Sequence, residues 1–285
     1  MRSARRCPSI EAVSSHRHPH RSTRRLVHEQ YRLLRAQLAP LRRRSSPARV
    51  HDSRIAARQL RSTLSALAPA LPGRARRALR HELKTLSDHL GAARDARVRT
   101  DLLLPLLQRH PVTDRRQQTL VLLRAASRQA SARAHRWLNA AAFDQCLRRM
   151  DRAAKTLTRA AQPSPNAKAL LREALLDRWS RLRHAPKNTP LAPDDIHRLR
   201  LMTKKCRYLL AIYPPTHHAS TREWLKQLQG CLGDLHDLQQ ARGWLQQQHG
   251  LRPPDRVLRI RLGARTARLT TQLRALLRTQ PSLLL

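Results

Sequence analysis

The sequence predicts an all-α protein, and three observations carry that reading. Its 285 residues include only seven glycines, β-branched residues are sparse, and leucine and alanine recur at three- and four-residue spacing almost throughout. Residues three and four apart share one face of a helix, so this periodicity favours helix over strand. Prolines and glycines mark the breaks between the runs. Apolar residues make up 40% of the chain, enough for a folded core at this length.

In chain order, the spacing predicts helices over about 22–39, 48–68, 74–90, 92–109 and 114–139. A further helix near 143–161 leads into Gln162-Pro-Ser-Pro-Asn166, which reads as a linker. Beyond it lie helices over about 167–184, 194–213, 217–232, 234–249 and 255–279. Pro47 suits the first turn of its helix, where a missing N–H costs nothing, and Ser46 before it is a good cap. Pro193 repeats the first feature, but Ala192 cannot repeat the second. Gly91 and Gly233 read as C-caps that end a helix. Asp95 and Asp237 then fall near the first turn of the next helix, where they would stabilise its N-terminus or hold an arginine by an ion pair. The organisation expected is a disordered basic tail over 1–21, a first helical repeat with its connecting helix over 22–161, the linker 162–166, and a second repeat over 167–280.

The two halves align. His51-x-x-Arg54-x-x-x-Arg58-x-x-Arg61 matches His197-x-x-Arg200-x-x-x-Lys204-x-x-Arg207, each with a proline four residues ahead. A shift of 142 residues lays Leu83-Lys84-x-Leu86-x-x-x-Leu90-Gly91-x-x-x-Asp95 on Leu225-Lys226-x-Leu228-x-x-x-Leu232-Gly233-x-x-x-Asp237, and Arg80 on Arg222. Two motifs in the same order and at nearly the same separation indicate an internal duplication. The expected architecture is two antiparallel helical bundles related by a pseudo-two-fold axis.

Net charge narrows the function. The chain carries +40 at neutral pH, with 58 Lys and Arg against 18 Asp and Glu. That excess points to an anionic partner: DNA, RNA, an anionic membrane surface or inorganic polyphosphate. Aromatic residues are only 3% of the chain. Stacking of single-stranded bases therefore has little to work with, which favours a ligand with phosphates and no bases. No apolar run is long enough to span a membrane, and the first 25 residues lack the apolar stretch of a secretory signal. Cys7, Cys146, Cys206 and Cys231 are scattered and read as free thiols, with no metal site. His16, His18 and His20 are broken up by Arg17 and Pro19 and read as part of the tail. The phosphate-binding loop GxxxxGK[ST] is absent.

The basic ladder is the candidate site. Offsets of +3, +7 and +10 from each histidine fall within an arc of about 80° and extend about 15 Å along one helix face. Such a row repels itself unless an anion lies along it. An ordinary solvated face mixes signs, whereas these two helices carry acids only at their starts, Asp52 and Asp194/Asp195. On the helix wheel the ladder lies beside an apolar face, Leu60, Leu64 and Leu67 in one helix and Leu199, Met202, Cys206 and Leu210 in the other. His51 and His197 would each donate a hydrogen bond to a phosphate, strengthened as the imidazole protonates near pH 6.5. Arg77, Arg80 and Lys84 form a shorter basic stripe, of which Arg222 and Lys226 repeat the last two members.

These residues resemble the conserved histidine α-helical domain, or CHAD, family. The resemblance rests on Val50-His51-x-x-Arg54-x-x-x-Arg58-x-Leu60-Arg61 with Leu90-Gly91-x-x-Arg94-Asp95. It continues in Ile196-His197-x-x-Arg200-x-x-x-Lys204-x-x-Arg207-Tyr208 with Leu228-Gln229-x-x-Leu232-Gly233-Asp234-x-x-Asp237, and spans about residues 22–280. It implies a duplicated helical fold around a basic central channel that binds inorganic polyphosphate, often at cytoplasmic polyphosphate granules in bacteria. His51, Arg54, Arg58, Arg61 and Arg94 would line the channel opposite His197, Arg200, Lys204 and Arg207, with Arg80, Lys84, Arg222 and Lys226 contributing further. A non-enzymatic binder without cofactor is expected; the alternatives are a nucleic-acid binder using the same basic surface, where RNA or DNA binds without specificity, and an enzyme acting on polyphosphate. Two positions depart from the duplicated pattern. Lys204 stands where the first half has Arg58, and His236 where it has Arg94. The triphosphate-hydrolysing CYTH domain that some relatives carry would need an ExExK strand, which this sequence lacks.

Overall fold

Leucine stripes at helical spacing build nine α-helices in the computed structural model, which describes residues 22–43, 46–108, 114–160, 167–184, 191–212, 218–249 and 256–283. They are α1 (Thr23–Leu38), α2 (Pro47–Ala66), α3 (Gly73–Gln108), α4 (Asp114–Asn139), α5 (Ala141–Ala160), α6 (Ala167–Arg183), α7 (Pro193–Leu210), α8 (Ala219–His249) and α9 (Arg256–Arg278). A single 3-10 turn, Ala68–Ala70, follows α2, and there is no strand among the described residues. The fold is all-α, as the periodicity predicts. The expected tail, linker, Cys7 and the His16–His20 cluster lie outside the described residues.

Packing follows the repeat. The succession α1 on α2, α2 on α3 and α3 on α4 recurs as α6 on α7, α7 on α8 and α8 on α9. Between the halves, α2 packs on α7 and α3 on α8, so equivalent helices meet each other. Helix α5 lies against α1, α3 and α4, and has no counterpart among the described residues of the second half. It is fastened by polar contacts: Tyr31 donates to Asp151 Oδ1, and Arg42 Nη2 to Asp144 Oδ2 at 2.7 Å.

The core is leucine-rich and continuous across both halves, running from Leu26, Leu34 and Leu60 through Leu83 and Leu90 to Leu199, Leu225, Leu232 and Leu273. Aromatic rings fill the wider gaps. Trp179 of α6 meets Trp224 of α8 edge-on, with centroids 5.5 Å apart, and the Trp224 indole N–H donates to the Leu276 carbonyl at 2.8 Å. Both groups of the amphipathic indole are thus satisfied, the ring by burial and its N–H by a hydrogen bond. The three described cysteines are buried and unpaired. Burial pushes the Cys146 and Cys206 thiols up to about 12, and Cys231 to about 11, so none is a thiolate at neutral pH.

Helix starts follow the sequence signals. Ser46 Oγ accepts from the Arg49 N–H at 3.3 Å, and Pro47 occupies the first turn of α2. Ala192 offers no side-chain cap, but the Asp195 carboxylate reaches back to the Ala192 N–H at 3.2 Å. Acidic groups in the first turn of α7 thus take over part of the capping that serine performs in α2.

The glycines depart from expectation. Gly91 and Gly233 do not end helices; α3 runs unbroken from 73 to 108 and α8 from 219 to 249. Asp95 and Asp237 therefore lie inside long helices, not at new N-termini. Neither glycine has the positive φ that a left-handed cap requires. The buried stripe continues through Leu90, Ala96 and Leu103 of α3 and through Leu232, Leu235 and Leu238 of α8, so tertiary packing holds the helix together across each glycine. A methyl group added at Gly233 meets nothing within 4 Å. Gly233→Ala is therefore expected to stabilise the protein by about 0.5–1 kcal/mol, through the lower entropy of the unfolded chain. Denaturant unfolding measures this; a loss of stability would restore the C-cap reading.

Candidate anion-binding site

Proline at the first turn marks where α2 and α7 begin, and burial of the apolar face beside each ladder sets its rotation about the helix axis. Because α2 packs on α7, the two basic faces are brought together. Arg58 is the shared neighbour: its charge acts on His51, Arg54 and Arg61 of its own helix and on Arg200 and Lys204 of α7. Lys204 in turn faces Arg54 and Arg58. Cations from the two halves thus form one cluster, where the sequence alone gives only two separate rows.

The ladder does not simply flank the apolar face. Arg54 is 7% exposed and Lys204 9%, so both penetrate the interface between the halves. Arg54 Nη1 points to the Gly91 carbonyl at 3.5 Å, and Nη2 lies 3.7 Å from Asp95 Oδ1. Asp95 is mostly exposed, so this is an ion pair at the edge of a pocket of positive charge rather than a buried, fully matched one. In the second half the charge of Asp237, a more buried carboxylate than Asp95, acts on Arg200. The Nε atoms of both Arg54 and Arg200 are buried and have no hydrogen-bond partner among the described residues. A buried donor without an acceptor is costly, and here two occur at equivalent positions of the repeat.

The electrostatics record that cost. Burial, followed by the neighbouring charges of Arg200, Arg58 and Arg54, lowers the Lys204 ammonium to about 7, against one opposing carboxylate, Asp237. Burial and the surrounding arginines likewise hold the Arg54 and Arg200 guanidinia below their usual range. Asp237 is raised, first by burial. Like charges packed in low dielectric disfavour their own ionisation, and the ladder is a site of that kind.

The histidines sit at the head of each row, exposed. His51 neighbours Arg94, and the His197 ring lies 6.0 Å from that of His236. Arg94 and His236 occupy the same place in the duplicated motif, so each head histidine meets a basic group on the facing long helix. The expectation of protonation near pH 6.5 needs correction for His51. Partial desolvation of a ring that keeps one side in solvent, and then Arg94, lower His51, while burial, Arg200, Lys204 and His197 lower His236 to about 4. His236 was absent from the expected binding residues; its alignment with Arg94 was the available signal.

Other expected members fall elsewhere. Arg61 neighbours Arg80 of α3, which extends the cluster along the first ladder. Lys84 is exposed and bonded to Asp88 of its own helix at 2.6 Å; Lys226 is exposed and 3.3 Å from Glu223. Exposed pairs of this kind contribute little. Arg207 and Arg222 are partly exposed. Two further arginines were missed because they lie outside the repeated motifs. Arg99 of α3 sits over the Trp244 ring of α8, 5.2 Å from its centroid, and Arg178 of α6 donates to Ser62 Oγ at 3.2 Å. No cluster of His, Cys, Asp and Glu suited to a metal occurs among the described residues.

The CHAD domain family model matches residues 25–246 of the chain. The chain belongs to the CHAD family. Solved structures agree on the fold. The CHAD domain from the plant Ricinus communis superposes with a TM-score of 0.67 at 23% identity, covering 92% of this chain and 93% of that one. PptA from Streptomyces chartreusis superposes with a TM-score of 0.61 at 21% identity, covering 90% and 93%. No curated protein matches the chain. No described helix is long and apolar enough to cross a membrane.

Proposed function

We propose that this CHAD domain binds inorganic polyphosphate in a basic channel between its two halves, without catalysis, and associates with polyphosphate granules. The observation that carries the reading is the cluster of Arg54, Arg58, Arg200 and Lys204, which is electrostatically strained when nothing anionic lies along it. A phosphate chain supplies regularly spaced acceptors for the buried donors and charge to offset the cations. Binding displaces the counterions of the chain, which adds a favourable entropy that falls with salt. The low aromatic content fits a ligand without bases. Family membership supports the same ligand class.

In this reading α2 and α7 are related by a pseudo-two-fold axis, and His51 and His197 guard the ends of the ladders. Asp95 and Asp237 serve as positioning residues that hold Arg54 and Arg200. Two carboxylates already engaged with arginines offer poor ligands for Mg²⁺, so phosphoryl transfer is not expected.

Two measurements test this. Titration with long-chain polyphosphate across a salt series is expected to give a linear log–log dependence whose slope corresponds to several phosphates neutralised. Incubation with Mg²⁺ or Mn²⁺ is expected to release no orthophosphate. Absence of binding would overturn the reading, and steady phosphate release would replace it with an enzymatic one.

A further inference from the structure

The positive track continues past the end of the α2 ladder. Arg61 is lowered by burial and then by Arg80 of α3. Arg80 also acts on Arg178 of α6, which is itself lowered, first by burial. Cations from three helices therefore converge beside the last rung of the ladder. Arg178 is held in place: its Nη1 donates at 3.2 Å to the hydroxyl of Ser62, a residue of α2 that is only 7% exposed. That bond holds the guanidinium against α2, and Arg80 is the cation that acts on both Arg61 and Arg178. Two carboxylates lie nearby, and each is engaged elsewhere. Asp88 is bonded to Lys84 at 2.6 Å, and Asp177 is paired with Arg181 on its own helix at 2.9 Å. Three half-buried guanidinia without a dedicated acid form a site whose repulsion an anion relieves.

We propose that Arg61, Arg80 and Arg178 form a second anion subsite, which takes the phosphates of a chain emerging from the central ladder. The inference rests on the polyphosphate reading, and Arg178 is the residue that it adds. The forked guanidinium suits two oxygens of one phosphate, and Ser62 serves to orient it. A short ligand satisfied by Arg54, Arg58, Arg200 and Lys204 does not reach this subsite; a long one does.

The full chain tests this with two probes, tripolyphosphate and long-chain polyphosphate, each titrated over a salt series. Arg178→Gln removes the charge but keeps an amide donor for Ser62, and Arg178→Lys restores a cation. Arg178→Gln is expected to weaken long-chain binding about tenfold. It is also expected to lower the log–log salt slope by about one, while tripolyphosphate binding is unchanged. Arg178→Lys is expected to recover the slope. If Arg178→Gln binds the long chain as the unaltered protein does, with the same slope, the subsite is overturned. Equal weakening of both probes would also overturn it, since Arg178 would then act through packing. Failure of the unaltered protein to bind either probe would instead overturn the functional reading, and the subsite with it.

Discussion

Replacing Arg54, Arg58, Arg200 and Arg207 together with alanine is expected to lower polyphosphate affinity by several orders of magnitude and to leave the helical content intact. A hydrogen bond to a charged partner is worth about 1.5–3 kcal/mol, so the loss of four amounts to roughly 10⁴-fold even with incomplete additivity. The fold should survive. Arg54 is buried and Arg200 half-buried among like charges, and each has a buried Nε without a hydrogen-bond partner among the described residues. Removing Arg54 leaves Asp95, which is already solvated. Stability is therefore expected to hold or to rise, the reverse of the usual result of truncating a buried side chain. Binding titration and far-UV circular dichroism of the same sample test both halves of this claim. Lost helicity, or affinity within tenfold of the unaltered protein, would count against the assignments.

Lys204 should make binding sensitive to pH above neutrality. In the free protein its ammonium loses its proton at about 7, because burial and then Arg200, Arg58 and Arg54 disfavour the charge, with Asp237 opposing. His236 of α8 also faces it, and is neutral at this pH, while Tyr208 lies near Arg54 and Arg200. A bound polyanion favours the charged form, so the Lys204 value rises in the complex and binding takes up a proton. The sign follows by linkage. Below pH 7 the lysine is charged in both states and contributes no pH dependence. Above pH 7 the free protein must gain a proton to bind, and affinity falls by up to roughly tenfold per pH unit. Lys204→Arg should flatten the profile between pH 7 and 9, and Lys204→Met should weaken binding at every pH while raising the melting temperature. For the free protein the same shift has the opposite sense: the unfolded chain holds a proton that the fold does not, so stability rises from about pH 7 toward the ordinary lysine range. A flat binding profile in the unaltered protein would remove Lys204 from the site.

The lowered histidines change an expectation drawn from their ordinary value. His51 and His236 lose their protons below the usual imidazole range in the free protein. By the same linkage, strengthening of binding in acid through them continues below pH 6.5, down to their lowered values.

Much of the fold was legible because helix periodicity and proline placement are local signals. Pro47 and Pro193 mark the starts of α2 and α7, and the duplicated motifs lie on helices that pack in the same succession twice. The unbroken courses of α3 and α8 were not legible. A glycine reads locally as a helix end, and only the surrounding packing shows that Gly91 and Gly233 are spanned. The ladder residues were legible by spacing, but not their depth. Arg54 and Lys204 are buried by the meeting of α2 with α7, a contact between residues about 150 apart in sequence that one helix wheel cannot show. Lys84 and Lys226 were named from the duplicated motif, and their pairing with Asp88 and Glu223 is a local i,i+4 and i,i+3 signal. Arg178 and Arg99 carry no repeat signature, and only tertiary contacts bring them to the site.

The central claim is that the two halves form a shaped site for phosphate chains and not merely a basic surface. Its most direct test is a competition titration near physiological salt, in which labelled long-chain polyphosphate is displaced by unlabelled polyphosphate, RNA or duplex DNA at equal phosphate concentration. The account predicts displacement by polyphosphate at far lower concentration than by either nucleic acid. Equal displacement by all three, with one common salt dependence, would contradict it and leave a generic binder of polyanions.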